Sequence, residues 1–220
     1  MFRVLTLASE FGSGASSIAR RVAEELHWNL LDDGLIREVA RAAQVDPETV
    51  RKYDEHVEPW WRRFLTAGLR AACIHAGATL ADAQRVDLAT TMAIITQQVI
   101  TRAAATGNCV IVGRGAECVL QDRMDVLHVF IYGPWAERVS RVSRRGHPLQ
   151  DLERRIRRID RERASYLRSH YGCDWKDSHL YHLMLSSQIG DEEAARTIVD
   201  IIRNSGVIAR IRISMSLPAS

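Results

Sequence analysis

Apolar residues recur along the chain in two rhythms. Short, nearly unbroken runs occur at 2–8 (FRVLTLA), 109–115 (CVIVGRG) and 126–133 (VLHVFIYG). Runs of that length, ended by glycine, predict strands buried on both faces. Between them the spacing lengthens to three and four: Ile18, Val22, Ala23 and Leu26 share one helical face. WNLLDD (28–33) predicts a second strand ending in two acids, and GLIREVARAAQ a helix. Asp46 and Pro47 suit an N-cap and first helical position, and 47–106 predicts as largely helical. AERVSRVSRR and DLERRIRRIDRERASYLRSH predict two further helices, HLMLSS another strand, and DEEAARTIVDIIRNSG an acid-started helix. The tail at 207–217 alternates and predicts an edge strand or an exchanged arm.

Strands alternating with helices imply parallel β-α-β units, hence a doubly wound α/β sheet with helices on both faces. Ligands of such sheets bind in the crevice beyond the C-terminal ends of the strands. SEFGSGASS (9–17) follows the first predicted strand, Asp32 and Asp33 end the second, and Gly113-Arg114-Gly115 end the third. The chemistry therefore gathers at one edge.

Composition narrows the partners. At 220 residues and 46% hydrophobic content the chain can build a real core, so a single domain is expected, with sub-regions at 33–106 and 138–178. No apolar run reaches the roughly 18 residues of a membrane span, and no signal-like N-terminus is evident. Cys73, Cys109, Cys118 and Cys173 are scattered without a CxxC pair, which favours a reduced, cytoplasmic protein without a cysteine-based metal site. Of 30 basic residues only Lys52 and Lys176 are lysines, leaving 28 arginines. A phosphate handled here meets arginine forks or backbone amides.

Eleven arginines fall between Arg138 and Arg168, interleaved with Asp151, Glu153, Asp160 and Glu162. Such a pattern suits a solvated helix laced by ion pairs, yet its excess of positive charge calls for an anion. Transferring phosphates are preferred over a nucleic-acid backbone, because no nucleic-acid module or interleaved aromatics accompany the run. Trp60 and Trp61 read as packing residues rather than a stacking platform.

Glycines at 12 and 14 give SEFGSGASS the backbone freedom of a phosphate-binding loop, and Ser16 or Ser17 offers a hydroxyl to Mg²⁺. Against GxxxxGK[ST], however, Ser9 stands at the first glycine and Ala15 at the lysine. A phosphate site and a plain strand-to-helix turn both remain open on this stretch alone.

SEFGSGASSIARRVAEEL, LDDGLIREVA, VIVGRGAECVL, LHVFIYGP, RRIDRERASYLRSHYGCDW and HLMLSSQIG occur in the order found in the cytidylate kinase-like family, which the chain resembles over roughly 2–205. The resemblance implies a three-layer P-loop NTPase-type fold with a mostly parallel sheet and a helical lid. It also implies transfer of the ATP γ-phosphate to a pyrimidine nucleoside monophosphate, with ATP and Mg²⁺ as cofactors. A non-catalytic nucleotide sensor on the same fold is the alternative. By the resemblance, Gly12, Ser13, Gly14, Ala15, Ser16 and Ser17 would cradle the donor phosphates, with Ser16 on the metal. Asp32, Asp33, Arg37 and Arg114 would meet the acceptor. Arg158, Arg161 and Arg163 would act from the lid, organised by Asp160. Authentic cytidylate kinases carry lysine where Ala15 stands and aspartate where Gly115 stands, and commonly an acid or amide at the positions of His182 and Ser186. Nucleotide substrates and a possible homodimer are the partners expected; membrane and nucleic acid are not.

Overall fold

The computed structural model describes residues 1–32, 88–144 and 149–216. Asp33, Arg37, Trp60, Trp61, Cys73, Arg145 and the helix expected from Asp46 lie outside them. The chain divides into two compact units, Met1–Leu31 with Ala104–Ser220, and Asp32–Ala103. The first carries nearly all the described residues.

In that unit β1 (Val4–Ser9) leads into α1 (Ala15–Leu26) and β2 (Asn29–Leu31). Helix α2 (Leu88–Thr106), whose residues up to Ala103 belong to the second unit, precedes β3 (Cys109–Val112), α3 (Ala116–Val119) and β4 (Val126–Tyr132). Helices α4 (Trp135–Ser143) and α5 (Leu149–Tyr171) follow, then β5 (Leu183–Ser186) and α6 (Asp191–Ser216). All strand pairs are parallel, in the order β2-β3-β1-β4-β5. The five strands expected between residues 2 and 187 are present, so the parallel α/β sheet stands.

Strand alternation divides the core into two layers. Leu5 and Leu7 of β1 face α1 and α6 with Leu127, Val129, Ile18, Val22, Ile198 and Ile202. Ala8 and Phe130 face the other way, against Leu167 of α5, Cys118 of α3, and Trp175 and Tyr181. Each fully buried Leu, Ile or Phe contributes about 1.5–3 kcal/mol, so the sheet centre holds β1 rigidly. The turn at its C-terminal end inherits that rigidity.

The tail departs from expectation. Residues 207–216 continue α6 instead of forming a strand or arm. Ile208, Ile211 and Met215 also recur at helical spacing, and no proline interrupts the helix begun at Asp191. Two periodicities coexist in this short stretch, and the one continuous with the preceding helix prevails.

Candidate active site

Beyond β1 the chain must reverse into α1 within five residues. Gly12 and Gly14 make this possible at φ +85° and +94°, where L side chains are strained. A Cβ on Gly12 would also lie 2.9 Å from the Arg138 carbonyl oxygen, and one on Gly14 2.9 Å from Asp191 Oδ1. Ser13 N–H donates to the Glu10 carbonyl at 3.2 Å, closing the turn. Gly14 caps α1 in the left-handed conformation and, having no side chain, gives the first-turn amides no cap bond. Ser17 N–H bonds back to the Gly14 carbonyl at 3.0 Å, and the Ala15 and Ser16 amides precede the first bond of the helical ladder, so the helix start presents donors and its positive dipole end. Ser13 lies within this loop at 1% exposure, its Oγ buried without a hydrogen-bond partner. An anion is the chemical complement of such a turn.

The loop is gripped from α4 and α5. Asp160 Oδ1 accepts from Phe11 N–H at 2.8 Å, and its other oxygen is ion-paired with Arg138. Arg138, only 5% exposed, also donates from Nε to the Phe11 carbonyl at 2.8 Å and lies 3.3 Å from Glu10 Oε2. Glu10 accepts from Gly133 N–H at 3.2 Å and pairs with Lys176 Nζ at 2.8 Å. Burial alone would raise the Glu10 carboxyl, but the Lys176 bond, the Gly133 amide and Arg138 together hold it below its ordinary value. Arg163 donates to the Ser9 carbonyl and lies 5.8 Å from the Phe11 ring centre. Arg141 pairs with Asp191 at 2.6 Å, beside Gly14. Four cations among the described residues thus border the loop.

The residues named from sequence separate accordingly. Gly12, Ser13, Gly14, Ala15, Ser16 and Ser17 form the loop and first turn, with Ser16 exposed there. Asp160 and Arg163 reach it, whereas Arg161 donates from Nε back to the Arg157 carbonyl at 3.2 Å and Arg158 faces Glu162 at 3.8 Å. Asp160 binds Arg138 and the loop backbone. Ala15, standing at the lysine position, is 5% exposed and packs in the α1 core layer. A lysine there would have to thread its stem out of apolar surroundings. Asp32 follows β2 immediately.

A second glycine turn follows β3. Gly113, Arg114 and Gly115 are consecutive left-handed residues at φ +68°, +66° and +72°. For arginine this is a costly conformation, held here by the Gly113 N–H bond to the Leu7 carbonyl at 3.0 Å. The Tyr171 ring covers Gly115 so closely that a Cβ would lie 2.6 Å from its Cε2. An aspartate would have no room at this position. Just beyond, Glu117 is 2% exposed with Oε2 unpartnered, and burial raises its carboxyl to about 7.

His182 and Ser186, the other departures, have structural employment. His182 stacks on His128 with ring centres 5.1 Å apart and accepts from the His128 N–H at 3.0 Å. It precedes β5, away from the strand ends that form the crevice. Ser186 Oγ accepts from Gln188 N–H at 3.3 Å, capping a short turn.

Sequence reasoning missed Glu10, Arg138, Arg141 and Lys176 as loop neighbours. Arg138 carried one signal: it alone among the eleven arginines sits one helical turn after the Gly133-Pro134 helix start. Lys176, one of two lysines in an arginine-rich chain, carried another.

A serine hydroxyl with phosphate oxygens is the hard, all-oxygen set that suits Mg²⁺. Ser16, exposed on the first turn of α1, fits that role. No group of three metal-binding side chains occurs among the described residues. No described helix is long and apolar enough to cross a membrane.

Residues 4–189 match the sequence model of the cytidylate kinase-like family. A cytidylate kinase of Methanosarcina mazei is 31% identical over 83 residues, which is 37% of this chain and 46% of that protein. The match thus spans just under half the length of this curated relative. Among solved structures, an uncharacterized protein from Eubacterium ventriosum superposes with a TM-score of 0.64 at 21% identity, covering 91% of this chain and 98% of that one. A shikimate kinase from Bacteroides thetaiotaomicron gives 0.49 at 13% identity, covering 91% of this chain and 98% of its own.

Proposed function

Because the chain belongs to the cytidylate kinase-like family, we propose that it transfers the γ-phosphoryl group of ATP to a pyrimidine nucleoside monophosphate such as CMP or dCMP, with Mg²⁺. The observation that carries this reading is the uncapped start of α1 directly after the central strand, with Arg163 of α5 bonded at its entrance. Phosphoryl transfer asks for alignment and charge neutralisation more than for covalent chemistry. Residues 12–17 hold the donor phosphates by backbone N–H groups, and Ser16 would hold the metal, which would supply charge neutralisation to the donor phosphates. Arg114, with Asp32, Asp33 and Arg37, orients the acceptor. An acceptor phosphate oxygen attacks the γ-phosphorus in line, the bond to the β,γ-bridging oxygen breaks, and ADP leaves with that oxygen's electron pair. Arg158, Arg161 and Arg163 stabilise the equatorial charge from the lid, and Asp160 keeps helix and loop in register.

Without a loop lysine the site lacks one cation, worth about 3 kcal/mol or on the order of 10²-fold in rate in a closed site. The arginines of α5 compensate on closure. The family's nucleotide substrates, a cytoplasmic setting and a possible homodimer belong to the same reading.

Purified protein with ATP, Mg²⁺ and a panel of CMP, dCMP, UMP and AMP tests it. CDP or dCDP should accumulate. Arg161→Ala should lower kcat by on the order of 10²-fold with little change in KM, the loss of a transition-state contact. Arg114→Ala should raise the acceptor KM. MgATP binding without transfer to any acceptor would overturn the kinase reading in favour of a nucleotide sensor.

A further inference from the structure

The four cations around the first glycine turn differ in how far they can move. Arg138 is 5% exposed and fixed at three points, the Phe11 carbonyl, Asp160 and Glu10. Arg163 is bonded to the Ser9 carbonyl, and Arg141 is paired with Asp191 at 2.6 Å. Lys176 stands apart from them, in the segment between α5 and β5, with its side chain 55% exposed and Nζ 2.8 Å from Glu10 Oε1. Its backbone is anchored. Lys176 N–H donates to Asp174 Oδ1 at 3.1 Å, and the preceding Trp175 is 5% exposed, its carbonyl accepting from Tyr181 Oη at 2.6 Å. The ammonium lies 5.6 Å from the Trp175 ring centre, at the end of a flexible four-carbon stem. Glu10 in turn belongs to the loop. Its N–H donates to the Ile131 carbonyl at 3.0 Å, and Oε2 takes the Gly133 N–H at 3.2 Å and Arg138 at 3.3 Å. Glu10 therefore stays paired when Lys176 leaves it.

We propose that Lys176 supplies the charge that Ala15 cannot: when MgATP binds, its ammonium exchanges Glu10 Oε1 for an oxygen of the γ-phosphate. Lys176, in a role that rests on the phosphoryl-transfer reading above, is then a catalytic residue touching the transferring group, alongside the arginines of α5. Glu10 lies two residues before Gly12, and Gly133 directly follows β4, so the exchange takes place at the sheet edge where the loop ends. A γ-phosphate carries more negative charge than one carboxylate already shared with Arg138 and Gly133, which drives the exchange toward the nucleotide. Lysine suits the task because a compact ammonium with three rotatable donors can follow a phosphoryl group as it moves. ADP lacks that phosphate, so Lys176 returns to Glu10 after transfer.

Isothermal titration of the full-length protein with MgATP and with MgADP tests this in the wild type, Lys176→Met and Lys176→Arg. Lys176→Met should weaken MgATP by about tenfold or more and leave MgADP nearly unchanged, because only the γ-phosphate contact is lost. Lys176→Arg should restore most of the difference. In the transfer assay with CMP, Lys176→Met should lower kcat by on the order of 10²-fold and keep the acceptor KM. Thermal midpoints of both variants should match the wild type, since the side chain is exposed. A wild type that transfers to no acceptor yet loses MgATP affinity selectively in Lys176→Met overturns the kinase reading and keeps Lys176 on the γ-phosphate. Equal weakening of both nucleotides, or no weakening of MgATP, overturns the role of Lys176, and the kinase reading is then judged on product formation alone.

Discussion

The two glycine turns at the sheet's C-terminal edge reach similar backbone shapes by opposite means. The turn after β1 is held by charge: Glu10 and Asp160 bracket Arg138, and the loop backbone bonds to Asp160, Arg138 and Arg163. The turn after β3 is held by packing: Tyr171 lies on Gly115, and Glu117 beneath it is buried with an unpartnered oxygen. Paired carboxylates keep the cations around the first turn at fixed stations. Arg114 instead sits in a strained left-handed backbone between two glycines, with the Tyr171 ring against Gly115. The first turn should therefore respond to lost charge, the second to pH.

The largest effect belongs to the first turn. Arg138→Ala leaves Asp160 and Glu10 facing one another in a mostly buried site and should cost about 3–5 kcal/mol in urea unfolding. Removing both partners, as in Arg138→Met with Asp160→Leu, should recover much of that loss.

Glu117 sharpens the second turn. Its carboxyl holds a proton up to about pH 7 against an ordinary 4.5, because burial penalises the charged form. A raised acid destabilises the fold progressively as pH rises from 4.5 to 7, and the penalty is absent below that window. Glu117→Gln should therefore gain up to about 3 kcal/mol at pH 8 and almost nothing at pH 4.5, read as urea midpoints at the two values. His128 slopes the other way: burial, with His182 beside it, lowers it to about 4, so its stabilisation fades as pH falls from 6.5 to 4. The wild type should show a shallow profile in which the two partly cancel, and the variant a steeper loss toward acid.

The smallest effect returns to the first turn. Lys176 is 55% exposed, and Glu10 keeps its bonds to Gly133 and Arg138 without it. Lys176→Ala should change stability by no more than about 0.5 kcal/mol, detectable only by careful thermal unfolding. A larger loss would show that charge organises the loop beyond its buried core.

Much of this architecture was legible in the chain. The runs around Leu5, Val110 and Val129 had no plausible place except a sheet interior, and glycine pairs at 12 and 14 and at 113 and 115 marked backbone that only glycine adopts cheaply. What escaped was long-range. Asp160 and Phe11 stand 149 residues apart, and nothing in RRIDRER distinguishes an aspartate aimed at a distant amide from one that pairs along its own helix. Ala15 looked like a missing charge, whereas it is also a core residue. The tail around Ile208 and Ile211 satisfied two periods at once, and helix continuity decided what local pattern could not.

The central claim is that residues 12–17 cradle the donor phosphates without a loop lysine. Amide NMR of ¹⁵N-labelled protein titrated with MgATP tests it directly. The account predicts the largest shifts at Gly12, Gly14, Ala15 and Ser16, with smaller ones at Phe11 through its tie to Asp160. Saturable binding that leaves those amides unmoved would contradict it.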